Sequence, residues 1–591
     1  MSKLINDSFA ANLLSLWGYI EIKRKRQIFY TVTLMFCVSI LEALGIGATL
    51  PFLSVLTAPE QLFRYPATQP VIRYFNFTEP GQLLFPVTAA FALLSIINGF
   101  ARLFLLRAIT RLGSAIGADL SISAYRRTLY QPYVVHVMRN SSNAIAGINS
   151  KTSEVAGLVI LPLLTIVNAC LMFILIITTL VTIAAIPAFF AFIGFATMYL
   201  FVILFTKEQL RKNGTIISSE QNQIQKALQE GLGGIRDILI DGTQEVYCTI
   251  YRNSIKPMRR AIANLQVIGG SPRFIIEAFG MALIAALALM LATGPEGIFS
   301  ALPLLGVLVL SAQRLLPLLQ QCYSSWTQIR SSKATLIDAL TFLNQPLPDY
   351  VDSSSKEVMP FIKNIRLCDI SYRYQSESKF VLTNINLSIC KGARIGIIGK
   401  TGEGKSTILD VIMGLLVPSN GHLYIDDQKI TCQNRRKWQA HIAHVPQTIF
   451  LADTTVAENI AFGVPRALID LSRVKAAAVK SQLFDTISSM PSGYDTVVGE
   501  RGIRLSGGQR QRIGIARALY KGADVLVFDE ATSALDTETE RAVMDVIYQL
   551  SIELTVIIVA HRMTSLSGCT QIIEIANGQV RQIGGYADIS I

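Results

Sequence analysis

The sequence predicts an α-helical six-span transmembrane domain followed by an α/β domain. Three observations lead there. Of 591 residues, 51% are hydrophobic and only 16% are charged, where soluble domains carry about a quarter charged residues; the mean hydropathy is +0.43. The charge is unevenly divided: residues 1–344 hold 27 Lys+Arg against 16 Asp+Glu, and residues 345–591 hold 26 against 25, so almost all of the net +12 lies in the first part. Beyond residue 360 the apolar runs shorten to strand length and are bounded by turn residues. This composition excludes a disordered chain, a collagen and a small disulfide scaffold. Because the basic excess sits in the apolar part, it points to membrane loops and not to nucleic acid.

The start, MSKLINDSFAANLLSLWGYIEIKRKRQ, reads as a short amphipathic segment and a basic cluster, not as a cleavable signal peptide. Six stretches then supply the ~20 residues that a helix needs to cross ~30 Å of hydrocarbon: about 27–56, 83–109, 156–181, 184–206, 274–293 and 297–320, together making 1–344 a transmembrane domain. The third and fourth are nearly continuous, and Pro187 predicts a tight turn between them. Basic residues gather before the first span (Lys23, Arg24, Lys25, Arg26) and in the loops 110–155 and 207–273, whereas 57–82 has only Arg64 and Arg73 and 294–296 has none. The positive-inside tendency therefore places the N-terminus, both long loops and the C-terminal domain in the cytoplasm. Both loops show helical spacing, which predicts helices running on from the spans. In 57–82, VIRYF fits a short interfacial helix or a solvated loop. The eight cysteines lack CxxC or zinc-like spacing and read as incidental thiols of a reducing compartment.

Residues 345–359, rich in turn formers, read as a linker, and 360–591 as the second domain. Its first motif is Gly399-Lys400-Thr401-Gly402-Glu403-Gly404-Lys405-Ser406, between the apolar run ARIGII and the helical TILDVIMGLL. This is a phosphate loop in strand–loop–helix context. Gly399, Gly402 and Gly404 let backbone N–H groups curl around phosphates at the helix N-terminus, where Thr407 follows. Lys405 is placed for the β/γ-phosphates and Ser406 for Mg²⁺. The second motif, VLVFDE, is a buried strand ending in two acids: Asp529 suits the metal, and Glu530 suits a general base for the attacking water. The third is Leu505-Ser506-Gly507-Gly508-Gln509.

With LSGGQ the sequence resembles the ATP-binding cassette (ABC) proteins, whose signature it is. The resemblance implies ATP and Mg²⁺ as cofactors and assigns further residues. Gln447 in HVPQ is similar to the Q-loop glutamine, a metal and water contact; Ser533-Ala534-Leu535-Asp536 to the D-loop; and His561 to the switch histidine. Tyr374 resembles the tyrosine that stacks on adenine, with Tyr372 as the alternative, and GERG (Gly499–Gly502) resembles the exporter-specific segment before the signature. His136, His422, His441 and His444 have no partner pattern and read as structural or surface residues. In the family, Ser506, Gly508 and Gln509 of one copy close over nucleotide held by the other. One motif set and one six-span domain thus resemble a half-transporter, and the intact set at Glu530 and LSGGQ favours a homodimer.

The order of the domains resembles ABC exporters of the six-helix, domain-swapped kind, with Tyr130–Met138 and Asp241–Tyr251 as the docking segments of the long loops. QKALQEGLGGIRDILIDG, SPRFIIEAFGM and LLPLLQQCYSSWTQIRSS are similar to bacterial exporters that flip lipid-linked oligosaccharides or polysaccharide precursors, which implies the plasma membrane and a lipid-linked glycan partner. Ionisable side chains at membrane depth are costly and face cavities. Arg102, Arg273 and Arg314 are therefore expected to contact an anionic headgroup, the alternatives being that Arg102 and Arg273 snorkel at the cytoplasmic boundary and that Arg314 pairs with an acid; Glu42 interrupts the first span and Glu277 lies one turn after Arg273. A multidrug or lipid exporter would instead present an apolar, aromatic cavity, and a nucleotide-gated channel or regulator a spoiled catalytic acid.

Overall fold

The computed structural model describes residues 9–589 except 58, 65–67, 141–143, 184, 293–296, 349–350, 352–357, 376, 532–535, 550–552 and 561–562. The chain folds as two compact units. One comprises Met1–Gln131 and Arg139–Leu347, the other Pro132–Met138 and Pro348–Ile591.

The first unit is helical. Most of the described residues of the six expected spans fall in α1 (Ile22–Thr57), α2 (Leu84–Leu129), α3 (Leu161–Ile183), α4 (Ala185–Gly233), α5 (Gln244–Ala292) and α6 (Gly297–Ser331), followed by α7 (Lys333–Leu343). Among the described residues, Ile22–Thr57, Pro80–Leu129 and Gly147–Thr182 are long and apolar enough to cross a membrane. The 46, 49 and 49 residues of α2, α4 and α5 correspond to about 70 Å of helix, more than twice the ~30 Å of a hydrocarbon core. The long basic loops are thus continuations of these helices. Pro187, expected in a turn, is the third residue of α4. Proline is tolerated there because the first turn's N–H groups have no intrahelical acceptor. VIRYF lies in a short helix, Gln69–Phe75, that ends on a left-handed Asn76.

Lys151 lies in the basic stretch 110–155, yet it is almost fully buried. Its ammonium donates to Ser218 Oγ at 2.7 Å and to Asp338 Oδ2 at 3.0 Å, and Ser218 Oγ donates to the same carboxylate at 2.9 Å. One buried cation so ties the chain entering α3 to α4 and α7. Lys151 ends one wide π-type turn, Ala146–Lys151, and a second, Ala156–Ile160, follows it.

The second unit holds two sheets. The antiparallel one runs β2 (Leu382–Cys390), β1 (Asn364–Tyr372), β4 (Asn420–Ile425), β5 (Gln428–Lys429). The other runs β10 (Gln579–Gly584), β9 (Gln571–Ala576), β3 (Arg394–Ile398), β8 (Thr555–Val559), β7 (Val525–Asp529), β6 (Ile442–Val445), and is parallel except for β10. Strand alternation supplies two cores. Val525, Val527, Ile557 and Val559 point into the one shared with the antiparallel sheet, while Leu526, Phe528, Val556 and Ile558 point into the opposite one. Burial on both faces explains why VLVF and TVIIV are continuous apolar runs without a polar alternation. The short helix Tyr133–Met138 belongs to this unit, and Val134 packs against its first core. The other expected docking segment, Asp241–Tyr251, is a left-handed turn at Gly242 followed by the start of α5.

Candidate functional site

The chemistry-bearing residues of the second unit lie just past the C-terminal ends of the parallel strands, where open α/β sheets bind ligands. From β3 the chain passes through the glycine loop into α8 (Lys405–Ile412). Gly399 has φ of +151°, and a Cβ there would sit 2.3 Å from the Ile575 carbonyl oxygen. Gly404 opens α8 in a left-handed conformation, and a Cβ at Gly402 would meet nothing within 4 Å. The loop is therefore closed at its base and open at its crest. Lys405 is buried; its ammonium donates to the Gly399 and Lys400 carbonyl oxygens at 2.8 and 2.9 Å, and Glu403 accepts from the Lys400 N–H at 2.8 Å.

Asp529 ends β7. Burial pushes its carboxyl above the usual range, Glu530 adds to this, and the Ser406 hydroxyl hydrogen bond and Lys405 pull the other way. An acid held against burial beside a serine hydroxyl is the donor set that Mg²⁺ prefers, so these residues fit the expected cation. Glu530 takes the left-handed φ of +50°, rare for a side chain of this size, while its N–H stays bonded to the Val559 carbonyl oxygen at 3.0 Å. Gln447, beyond β6, donates from Nε2 to Glu530 Oε2 at 2.7 Å. Tyr374 lies past the end of β1, and its hydroxyl is 3.4 Å from Thr407 Oγ1. Tyr372 is packed into the core, which leaves Tyr374 as the ring available for stacking.

Asp410 was not anticipated. It lies one helical turn after Ser406, and burial with the nearby charge of Asp529 pushes its carboxyl up to about 6; the signal was an acid four residues along the helix from the metal-side serine. Ser506 caps α9 (Gly507–Lys521): Gln509 N–H donates to Ser506 Oγ at 3.2 Å, and Ser506 N–H donates to Gln509 Oε1 at 2.9 Å. These two bonds form a reciprocal cap, and Gly508 lies in the first turn of the helix. Asp536 accepts from the Thr539 N–H at 2.9 Å and precedes α10 (Thr537–Gln549). Ser533, Ala534, Leu535 and His561 lie outside the described residues. His441 is structural, held between Asp524 and the Met359 carbonyl.

In the first unit, three helices converge on Glu42, whose side chain is 2% exposed. Arg102 Nε stands 3.5 Å from Glu42 Oε2, Arg314 Nε 3.2 Å from Oε1, and Asn98 Nδ2 donates to Oε2 at 2.6 Å. One carboxylate so serves two guanidiniums, whose side chains remain 40% and 47% exposed. Arg273 does not join them: it pairs with Glu277 on its own helix at 3.6 Å. Asn98 escaped the sequence reading, although it lies four residues before Arg102 and hence on the same helical face.

Residues 28–296 match the family model for the ABC transporter transmembrane region, and residues 382–533 that for the ABC transporter. The chain is 30% identical over 389 residues to the ATP-dependent lipid A-core flippase of Chromohalobacter salexigens, covering 66% of each. It is 36% identical over 222 residues to the protein of the same name in Cupriavidus metallidurans, covering 37% of each. To the leukotoxin translocation ATP-binding protein of a Pasteurella haemolytica-like species it is 36% identical over 284 residues, 48% of this chain and 39% of that protein. The chain thus spans less than two fifths of the length of two of these curated relatives. In fold it is similar to a bacterial Atm1-family ABC exporter solved with ATP bound, with a TM-score of 0.73, 20% identity and 96% of each chain covered.

Proposed function

The chain belongs to the ABC transporter family, and from that premise we propose that it is an ATP-driven exporter or flippase of a glycan-bearing lipid. It works as a homodimer in the bacterial plasma membrane, with both termini cytoplasmic, and carries a lipid-linked oligosaccharide or polysaccharide precursor outward. Magnesium-bound ATP supplies the phosphoanhydride whose cleavage drives the cycle. Lys405 and the loop N–H groups bind and orient the phosphates, Tyr374 stacks on the base, and Ser406, Asp529 and Gln447 hold the cation. Glu530 takes the proton of the attacking water, and His561 contacts the reacting phosphate. Each copy contributes Ser506 and Gly508 to the other copy's phosphate loop, and Asp536 contributes to nucleotide binding.

The observation that carries the substrate reading is the sharing of Glu42 by Arg102 and Arg314. A single acid leaves one positive charge uncompensated within the expected spans, where an isolated charge is expensive. Planar multi-donor guanidiniums suit the oxygens of a diphosphate headgroup, whose negative charge offsets the uncompensated positive one. Arg273, already paired, is a weaker contact at the helix's cytoplasmic stretch. The relatives named lipid A-core flippases support a lipid cargo. The test is reconstitution of the full chain in proteoliposomes with polyprenyl diphosphate glycans, phospholipids and hydrophobic drugs, reading ATPase stimulation and transport together. Stimulation and movement of the diphosphate glycans are expected. Response to phospholipid or drug alone refutes the glycan reading.

A further inference from the structure

The helical unit holds an open-sided cavity of about 1000 Å³ lined by residues of α4, α5, α6, the start of α7 and the turns before α3, at the upper end of the ~300–1,000 Å³ typical of ligand sites. Its α6 wall begins at Gln320, where the sixth expected span ends; its α4 wall begins at Gly214, beyond the fourth span; and its α5 wall stops at Gly270, short of the fifth. The chamber therefore lies on the side of the spans that carries the basic loops.

Two features of its lining select a ligand class. Glu154 is the one charged residue among those lining it, and its Oε1 already accepts from Gln221 Nε2 at 2.6 Å. An anionic ligand finds no counter-charge there. The polar wall consists of amides and hydroxyls: Gln320, Ser324, Thr327, Gln328 and Ser331 form one stripe at helical spacing along α6, and Gln266 lines the cavity from α5. Gln320 donates to the Gly269 carbonyl oxygen at 2.7 Å, but its buried Oε1 has no donor. Facing the stripe are aliphatic side chains such as Ile217, Ile262 and Leu265. A dense neutral hydrogen-bonding wall opposed to an aliphatic one matches a sugar, with hydroxyls at its edges and C–H groups on its faces.

We propose that this chamber holds the neutral glycan portion of the transported lipid, with the glutamine stripe of α6 as its recognition surface. The proposal rests on the glycolipid reading above. It names a second site, because Arg314 faces Glu42 from a different side of α6.

The glycines of the wall supply the test. At Gly157 and Gly270 an added Cβ meets nothing within 4 Å, so a large side chain there enters open space. At Gly214, by contrast, a Cβ would stand 2.0 Å from the Ser331 carbonyl oxygen and force α4 and α6 apart. The full chain is purified in nanodiscs from its native host's membranes, and sugar released by mild acid is counted per chain. Gly157→Phe, Gly270→Phe and the double variant Gln320→Leu/Gln328→Leu should each lower bound sugar at least ~10-fold, a loss of ~1.4 kcal/mol, with unchanged melting curves and elution as dimers. Two plugs on different walls guard against one failing to fold. Sugar retained in all three variants overturns the chamber while leaving the glycolipid reading intact. A wild-type chain that carries glycan-free lipid overturns both.

Discussion

Replacing Glu42 by glutamine separates a headgroup site from a purely structural ion cluster. The substitution keeps the shape of the side chain and removes the one acid shared by Arg102 and Arg314, at 3.5 and 3.2 Å. Breaking a buried pair costs about 3–5 kcal/mol, because a charge is left uncompensated. Here the guanidiniums are 40% and 47% exposed, so the low end, ~3 kcal/mol, is expected. Arg314→Leu leaves Glu42 with Arg102 and Asn98 and should cost less, ~1–2 kcal/mol. The net charge of the cluster is +1 in the native chain, +2 in the first variant and zero in the second. A bound diphosphate reverses the stability order of the charges. A ligand at 100 times its Kd stabilises by ~2.7 kcal/mol, enough to restore most of what Glu42→Gln loses. The assay is thermal unfolding in nanodiscs with and without added polyprenyl diphosphate. The lipid-induced rise in Tm should be largest for Glu42→Gln, intermediate for the native chain and smallest for Arg314→Leu. Equal rises in all three, or no rise for Glu42→Gln, would show that the arginines serve only to compensate Glu42.

In the second unit, Lys405→Ala should reduce phosphate release from the reconstituted full chain by ~10²–10³, the scale of losing one preorganised charge donor; activity within twofold of native contradicts the site. Glu530→Gln should lose ~10²–10⁴ in turnover, as for removal of a general base, while a fluorescent ATP analogue still binds; lost binding would assign Glu530 to ligand affinity instead. Asp410→Asn tests the acid beside the phosphate loop. Because its folded carboxyl titrates at about 6 against ~4 in an unfolded chain, the folded state holds the proton more tightly. The native unit therefore loses stability as pH rises from about 4 to about 6, and Asp410→Asn removes that slope. At neutral pH the variant should be more stable by ~1–2 kcal/mol after solvent screening is allowed for. Melting curves across that pH range read it, and a variant as pH-sensitive as the native chain rejects it.

What could be read in advance follows from how local the physics is. The phosphate loop was legible because Gly399 to Ser406 are contiguous and their backbone angles follow from glycine at fixed offsets. The acids Asp529 and Glu530 were legible because a strand buried on both faces must be apolar up to its last residues. Tyr374 and Tyr372 are two residues apart, and periodicity gives them one face; only the end of β1 separates the core ring from the exposed one. The helical unit was legible in length and composition but not in its pairings. With about 100° of rotation per residue, an error of two residues in a span's end turns its face through more than half a circle. Charge counting also treats each basic residue as solvated, whereas Lys151 is buried on Asp338 and Ser218. Glu42 was visible as an interruption, but its partners come from α2 and α6, far apart in the chain. The polar stripe of α6 was different in kind, since its spacing alone places Gln320 to Ser331 on one face. That stripe and Arg314 occupy separate sides of the same helix, so rotating or shifting α6 must alter both sites at once. A glycolipid gripped at its anionic and neutral ends would couple to that one helix more strongly than a cargo held at either.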